Sequence, residues 1–233
     1  IRRQRQMCIR DRIIPGSTIE KEGYDYYNTT VLISPEGKIV AKYRKMHVWI
    51  PLEPFKPGDK FCVYDIPHVG RIGVCICYDF WFPETVRTLA WMGAEAIFHP
   101  RMTPSPALEL ERHVGITRAI ENSCYLIGIS GCGIHGGMSL AGHSIIVDPE
   151  GRVLQEAGTA EYISTEIIDL DNVTRVREYG TLGLGSLLKH LKHFNHKYPI
   201  YVQEFEKGEL YKRLGPVPTL EEYLKTMKIK LPK

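Results

Sequence analysis

The feature that most constrains the fold is an alternation of apolar runs and amphipathic segments in the middle of the chain. Strands are predicted at 72–77, 94–99 and 125–130, and helices at 83–92 and 106–122 lie between them. An alternation of strand and helix is typical of an α/β unit in which helices pack against a sheet. The centre of the chain is therefore predicted to form such a unit.

The regions on either side of this unit read as β-hairpins. Two β-rich runs, 28–34 and 38–43, are joined by Pro-Glu-Gly, and the runs 144–148 and 152–154 flank a second Pro-Glu-Gly. Hairpins beside an alternating unit predict a mixed sheet of the α/β or α+β kind rather than a purely parallel one. The remaining predictions are strands at 61–66 and 162–168, a polar turn around 20–22 and a flexible glycine-rich loop at 131–142.

Composition limits the possible classes of protein. The chain has 233 residues and an apolar fraction of 43%, which is ordinary for a protein that buries a core. No apolar run is long enough to cross a bilayer, and no signal-peptide core is evident. The six cysteines show no CxxC metal spacing, so we expect reduced thiols, a cytoplasmic setting, no metal and no cofactor.

The formal net charge of +3 comes from the first twelve residues. Residues 1–12 hold five arginines and one aspartate, which leaves a net charge of −1 for the rest of the chain. This segment lacks apolar periodicity and resembles the translated adapter sequence found in some metagenomic gene fragments. We therefore interpret it as non-native, which removes the main argument for nucleic-acid binding.

The C-terminal part differs from the rest in composition. Residues 171–233 are predicted to be an extension that packs on the domain or on a partner subunit of a homo-oligomer, because they are rich in Lys and Arg and poor in apolar residues. His190, His193 and His196 recur every third residue there. No cysteine or carboxylate accompanies them, so an exposed helix face is favoured over a zinc site.

The stretch from 73 to 84, GVCICYDFWFPE, carries the clearest chemical signal. Its strand is predicted to end at Cys77, shortly before a helix that begins at Pro83. Backbone N–H groups and the helix dipole at such a turn favour a thiolate. Cys75 fits the ordinary interpretation of a cysteine as a small core residue, whereas Cys77 is a candidate nucleophile.

Three further polar residues are candidates near predicted element ends. Asp79 and Glu84 lie close to a helix start, where carboxylates act as caps, and both are interpreted as structural. Arg101 follows a predicted strand end, and contact with a substrate and a surface position are equally compatible with that location.

Seven motifs in order resemble the nitrilase or carbon–nitrogen hydrolase superfamily over residues 13 to about 170. They are Tyr27-Asn28, Pro35-Glu-Gly37, Tyr43-Arg-Lys45-Met-His47, Pro57-Gly58, Cys77-Tyr-Asp with Phe82-Pro-Glu84, Arg118-Ala-Ile-Glu-Asn122, and Gly142-His-Ser144 with Pro149-Glu-Gly151. The resemblance implies a four-layer α-β-β-α sandwich, here incomplete at the N-terminus. It also implies hydrolysis of a small amide, nitrile or carbamoyl substrate through a Glu–Lys–Cys constellation, with an amide or carbamoyl compound as the expected substrate.

Carried over by position, the resemblance implies that Cys77 is the nucleophile and Lys45 the family lysine. Lys45 would stabilise the oxyanion together with the backbone N–H of Tyr78, and would lower the pKa of the Cys77 thiol. The loop from Trp49 to Gly58 is similar to that of aliphatic amidases and formamidases, in which a glutamate at the place of Glu53 positions substrate and water.

The aromatic residues near this constellation suggest a substrate pocket with an apolar wall. Trp49, Phe80 and Trp81 are the candidates.

The family's general-base glutamate lies upstream of the segment present, and Glu20 and Glu22 lack its Pro-Glu context. A truncated chain without that base is expected to be impaired, by ~10²–10⁴-fold for a positioned base. The alternative is a catalytically silent, oligomeric nitrilase-like module that serves binding or scaffolding.

Overall fold

The computed structural model describes residues 11–198 and 213–226, so most of the 1–12 segment lies outside the described residues. In chain order, the strands are β1 (Ser17–Glu22), β2 (Asp25–Ile33), β3 (Ile39–Arg44), β4 (Cys62–Ile66), β5 (Gly70–Val74), β6 (Ala96–Arg101), β7 (Tyr125–Ser130), β8 (Cys132–His135), β9 (Met138–Ala141), β10 (Ile145–Val147) and β11 (Val153–Glu156). The α-helices are α1 (Pro83–Trp91), α2 (Leu108–Asn122), α3 (Asp171–Tyr179), α4 (Leu187–Phe194) and α5 (Leu220–Thr226).

The larger sheet has six strands in the order β11-β10-β7-β6-β5-β4. Its centre, β5-β6-β7, is parallel, whereas the pairs β4-β5, β7-β10 and β10-β11 are antiparallel. The predicted mixed sheet of an α/β protein is confirmed. The parallel centre coincides with the alternating unit, since each crossover between those strands contains a helix.

A second, three-stranded sheet is formed by β1, β2 and β3, all antiparallel. Its β2-β3 hairpin was predicted from the first Pro-Glu-Gly turn. The predicted polar turn around residues 20–22 is wrong, because these residues pair with β2 as part of β1. Cross-strand ion pairs stabilise this polar strand, since Glu20 bonds Lys42 and Arg44 of β3.

Two other sequence predictions fail. Residues 131–142 form the small β8-β9 hairpin rather than a simple loop. Residues 162–168 form no strand, and the side chains of Ile163 and Ile167 are 96% and 90% exposed. A β-rich run becomes a strand only where a neighbouring strand offers backbone partners, and 162–168 has none among the described residues.

The described elements form three layers. Helices α1 and α2 cover one face of the six-stranded sheet through a core that includes Leu89, Ala119, Ile97 and Leu126. The other face of that sheet packs on the three-stranded sheet through clusters that include Leu32 and Tyr43. These three layers agree with an α-β-β arrangement. The described clusters do not include the second helical layer of the expected α-β-β-α sandwich.

Helix α3 is the first element of the predicted extension, and it packs against the domain. Its Val173 is fully buried in the core between the sheets, and the Arg177 guanidinium donates to the backbone oxygens of Ala94 and Ser123. Residues 171–179 therefore contribute to the same core as the sheets. None of the helices in the described part of the chain has the length and apolar character needed to cross a membrane.

Candidate active site

The turn that carries Cys77 lies at the carboxyl end of the central strand β5. The strand ends at Val74, and Cys77 begins a 3-10 turn that reaches Trp81, two residues before Pro83 opens α1. Cys77 has a φ of +45°, in the left-handed region that non-glycine residues rarely occupy. Strain of this kind concentrates at functional sites, where the surrounding structure maintains it.

The buried carboxylate of Asp79 holds this turn in place. The side chain of Asp79 is fully buried and accepts hydrogen bonds from both sides of the site. Its donors are the Tyr43 hydroxyl at 2.7 Å, and the backbone N–H groups of Ile76 at 2.9 Å, Met46 at 3.1 Å and His47 at 2.7 Å. Asp79 thus fixes the Cys77 turn against the segment that follows β3, in agreement with its predicted structural role.

That segment places Lys45 at the end of β3 and returns to it at Gly58. The Lys45 N–H donates to the Asn28 oxygen at 2.8 Å, and the Gly58 N–H donates to the Lys45 oxygen at 2.8 Å. A Cβ at position 58 would lie 2.3 Å from the Arg44 oxygen, so the loop closes only with glycine there. The Pro-Gly motif is therefore part of how Lys45 is positioned.

Lys45 and Glu53 form a hydrogen-bonded ion pair within this loop. The Lys45 side chain is buried, and its Nζ lies 2.5 Å from Glu53 Oε2. The same carboxylate accepts the Trp49 N–H at 2.6 Å and the Asn28 amide at 3.1 Å. Since both oxygens of Glu53 have donors, the pair is fixed in orientation as well as in distance.

Cys77 lies close enough to Lys45 for the two to interact electrostatically. Burial raises the pKa of the Cys77 thiol, and the positive charge of Lys45 acts in the opposite direction. Lys45 thus acts on the thiol pKa in the expected direction, but desolvation outweighs its contribution, so the pKa of Cys77 is raised overall. The lysine reduces the cost of forming a thiolate without removing it.

Cys77 faces a cavity of about 270 Å³ whose wall is mostly aromatic and apolar. The lining residues are Trp49, Cys77, Tyr78, Trp81, Met102, Thr103, Pro104, Ala107 and Glu111. Two of the three aromatic residues singled out in the sequence, Trp49 and Trp81, are among them. Larger surface pockets occur elsewhere, but Cys77 does not line them.

Phe80 does not line this cavity, which corrects its assignment as a substrate-contacting residue. Its side chain is completely buried in the core between α1, α2 and the sheet, and its ring stacks on His99 with centroids 4.2 Å apart. The turn directs Trp81 to the cavity and Phe80 to the core.

Arg101 also lies away from the cavity wall and is not a surface residue. The residue is 7% exposed, its side chain donates to the His143 backbone oxygen at 3.0 Å, and its Nε lies 3.7 Å from Glu111 Oε1. Direct contact with a substrate, one of the two sequence interpretations, is not supported by this position. Arg101 lies behind Glu111, which does line the cavity.

Sequence reasoning missed Glu111 and its neighbours His99 and Thr103. All three side chains are buried, and the Thr103 hydroxyl donates to Glu111 Oε2. His99 Nε2 lies 3.0 Å from the Cys77 backbone oxygen, so the histidine supports the turn from below. A signal was present in the sequence, since position 111 shares the buried face of α2 with Gly115, Ala119 and Asn122.

Tyr78 is the second residue of the 3-10 turn, where a backbone N–H has no acceptor within the turn itself. That position suits the donor to an oxyanion expected from the resemblance. The tyrosine ring lines the cavity and lies 6.4 Å from the Trp49 ring.

The described residues contain no group of three or more His, Cys, Asp and Glu side chains arranged to hold a metal ion. His190, His193 and His196 are exposed and their rings contact Phe194, but His196 lies beyond the end of α4, so the predicted helix face includes only His190 and His193.

This mixed-sheet α/β domain brings Cys77, which follows the central strand β5, near Lys45 and Glu53, which follow β3. The chain belongs to the carbon-nitrogen hydrolase family, whose model matches residues 11–178. The resemblance identified in the sequence is thereby confirmed.

Individual relatives agree with this assignment. The chain is 36% identical over 169 residues to the 2-oxoglutaramate amidase of Bacillus subtilis (strain 168), covering 71% of this chain and 65% of that protein. Among solved structures, Nit3 of Saccharomyces cerevisiae, a member of branch 10 of the nitrilase superfamily, superposes with a TM-score of 0.69 at 28% identity, covering 77% of this chain and 69% of Nit3.

A second structure shows a modified active site. A glutamate-to-glutamine mutant of the amidase from Nesterenkonia sp. AN1, which carries the acetamide moiety of fluoroacetamide on its active-site cysteine, has a TM-score of 0.63 at 28% identity. The match covers 67% of this chain and 60% of that protein. The chain thus spans slightly less than two thirds of the length of both amidases.

Proposed function

We propose that this chain hydrolyses small amides to a carboxylate and ammonia, with Cys77 as the nucleophile. The observation that carries the proposal is the position of Cys77, on a strained turn that lines a cavity and within electrostatic range of the Lys45–Glu53 pair. The family and the amidases among the relatives support the reaction class.

In the first step the Cys77 sulfur forms a bond to the amide carbonyl carbon. Negative charge develops on the carbonyl oxygen, and Lys45 Nζ together with the Tyr78 N–H stabilises it. The C–N bond then breaks, and ammonia leaves with the proton that the thiol has given up, so that a thioester remains. This first step makes use of the buried, fixed charge of Lys45.

In the second step water cleaves the thioester, which releases the acid and restores the thiol. Glu53 is held by three donors from Lys45, Trp49 and Asn28. We assign it the role of orienting Lys45 and the attacking water.

Glu20 and Glu22 are not proposed as the base that removes the thiol proton. Both are in ion pairs with Arg44, and their carboxylates are thereby held on the three-stranded sheet. The impaired rate expected without the family's base glutamate stays a prediction, as do the homo-oligomeric state and the cytoplasmic location. The impaired rate is tested by comparing the turnover of this chain with the turnover of a longer chain that includes the upstream segment.

The proposal is tested by ammonia release from a panel of aliphatic amides and carbamoyl compounds. The Cys77→Ala variant is expected to release none. The matched control is Cys75→Ala, since Cys75 is fully buried two residues away in the same segment. Equal rates for the Cys77→Ala variant and the unaltered chain overturn the proposal.

A further inference from the structure

Among the described residues that line the cavity beside Cys77, Glu111 is the one with a carboxylate side chain. Burying a carboxylate in a small, mostly apolar cavity costs free energy unless its oxygens are paired with donors. The hydrogen bonds that Glu111 makes and lacks therefore indicate which ligand groups the cavity can bind.

The two oxygens of Glu111 are bonded unequally. Oε2 accepts the Thr103 hydroxyl, whereas Oε1 lies 3.7 Å from Arg101 Nε and 4.0 Å from His99 Nε2. Both of these distances exceed that of a hydrogen bond. Within the described residues, Oε1 therefore accepts no hydrogen bond, although an ionised carboxylate has room for several.

Arg101 forms an ion pair with Glu111 at 3.7 Å but donates no hydrogen bond to it. Burial holds the pKa of His99 well below its ordinary value, so this histidine is neutral and contributes no positive charge. Arg101 directs its hydrogen bond to the His143 oxygen, and its own Nε has no hydrogen-bond acceptor among the described residues. The charge of Lys45 is already paired with Glu53.

The other residues of the cavity wall also favour a positively charged ligand. The rings of Trp49, Tyr78 and Trp81 line the same cavity. Aromatic faces attract ammonium groups, whereas they do not attract a carboxylate. A cavity that combines aromatic rings with one under-bonded carboxylate has the chemistry of an ammonium pocket.

We propose that Glu111 selects amides whose acyl group carries an ammonium or other positively charged amine, which donates to Glu111 Oε1 while Cys77 attacks the carbonyl. This assignment rests on the proposed function, because it takes the cavity to be the acyl pocket. Glu111 is then a specificity-determining residue, supported from behind by Thr103 and Arg101.

The test measures binding without turnover, using the Cys77→Ala chain and three amides of matched length. The probes are γ-aminobutyramide, valeramide and glutaramate, whose acyl chains end in an ammonium, a methyl and a carboxylate. Isothermal titration calorimetry is expected to show at least about tenfold tighter binding of γ-aminobutyramide than of valeramide, and weaker binding of glutaramate.

Glu111→Gln in the Cys77→Ala background keeps the size of the side chain and removes its charge. The preference for γ-aminobutyramide is expected to fall to within about threefold. The control is Glu109→Gln, on the same helix but exposed, which is expected to leave all three affinities unchanged.

Equal binding of the three amides by the pocket with Glu111 intact overturns the ammonium assignment, and so does tighter binding of glutaramate. This binding comparison keeps Glu111 intact, so its outcome does not depend on whether the Glu111→Gln variant folds. Failure of the proposed function has a different signature, namely ammonia release that survives the loss of Cys77. If Glu111 served instead as a proton acceptor, Glu111→Gln would slow turnover of all three amides equally, which also contradicts a role in selection.

Discussion

Two ion pairs lie beside Cys77, and they differ in how completely their atoms are hydrogen bonded. Lys45 and Glu53 are 2.5 Å apart, and two further donors bind the Glu53 carboxylate. Arg101 and Glu111 are 3.7 Å apart, and one oxygen of Glu111 accepts no hydrogen bond from the described residues. Both pairs are largely buried, so burial alone does not explain the difference.

This difference in hydrogen bonding indicates a different role for each ion pair. A carboxylate with protein donors on both oxygens is fixed in position and presents the same geometry whatever the acyl group of the substrate. A buried carboxylate with a vacant acceptor position is held at a free-energy cost that a suitable ligand recovers on binding. We therefore infer that the Lys45 pair serves the chemistry common to all amides, and that the Glu111 pair serves the choice among them.

The largest effect is expected for Lys45→Met. This change removes the positive charge proposed to stabilise the oxyanion, and the loss of one such group lowers kcat by about 10²–10³-fold. Steady-state ammonia release measures it. The control is Lys56→Met, which removes an exposed lysine paired with Asp25 and is expected to leave kcat unchanged.

Glu53→Gln is expected to affect both activity and stability. It leaves the buried Lys45 ammonium without its counter-ion, and breaking a buried pair in this way lowers the free energy of unfolding by about 3–5 kcal/mol. Urea denaturation measures the change. Asp25→Asn breaks the exposed pair with Lys56, which is expected to matter by less than about 1 kcal/mol. Similar losses for the two variants would contradict the distinction.

Thr103→Val tests the less completely bonded pair. The valine is close in size but removes the hydroxyl that donates to Glu111, so the free energy of unfolding is expected to fall by about 1–3 kcal/mol. Selectivity for the ammonium amide is expected to weaken, because the carboxylate loses its support, whereas kcat for valeramide should hold. Thr117→Val, on the exposed face of α2, is the control.

The smallest effect concerns the pH dependence of thiol reactivity. Burial raises the pKa of the Cys77 thiol above its ordinary value of 9.0, so alkylation of Cys77 by iodoacetamide is expected to increase through pH 9 and beyond. Lys45→Met should move the profile to still higher pH, since Lys45 acts to lower that pKa. Peptide mapping assigns the label, and a profile centred near neutral pH would contradict the expectation.

The residues at the end of β5 and in the loop from Lys45 to Gly58 were predictable because local motifs encode them. The Cys77 turn follows an apolar strand and precedes a proline, and the loop closes on a glycine that the backbone requires. Each of these signals is contained in a short stretch of sequence. The mixed sheet was predictable for the same reason, since alternation and hairpin turns are short-range patterns.

The cluster behind Glu111 was not predictable in this way. His99, Thr103 and Glu111 come from a strand, a loop and a helix, and only the packing of α2 on the sheet brings them together. The strand β1 was missed for a related reason. Its polar residues form a strand because β2 supplies backbone partners and Lys42 and Arg44 neutralise Glu20.

Cys77 is proposed to carry the acyl group of the substrate during turnover. The most direct test is acid quenching of the chain during turnover of an amide, followed by intact-protein and peptide mass spectrometry. We expect the mass of one acyl group to be added to the peptide that contains Cys77, and nothing to be added in the Cys77→Ala variant. An acyl group located on Cys62, Cys132 or another residue, or ammonia released without any dependence on Cys77, would contradict it.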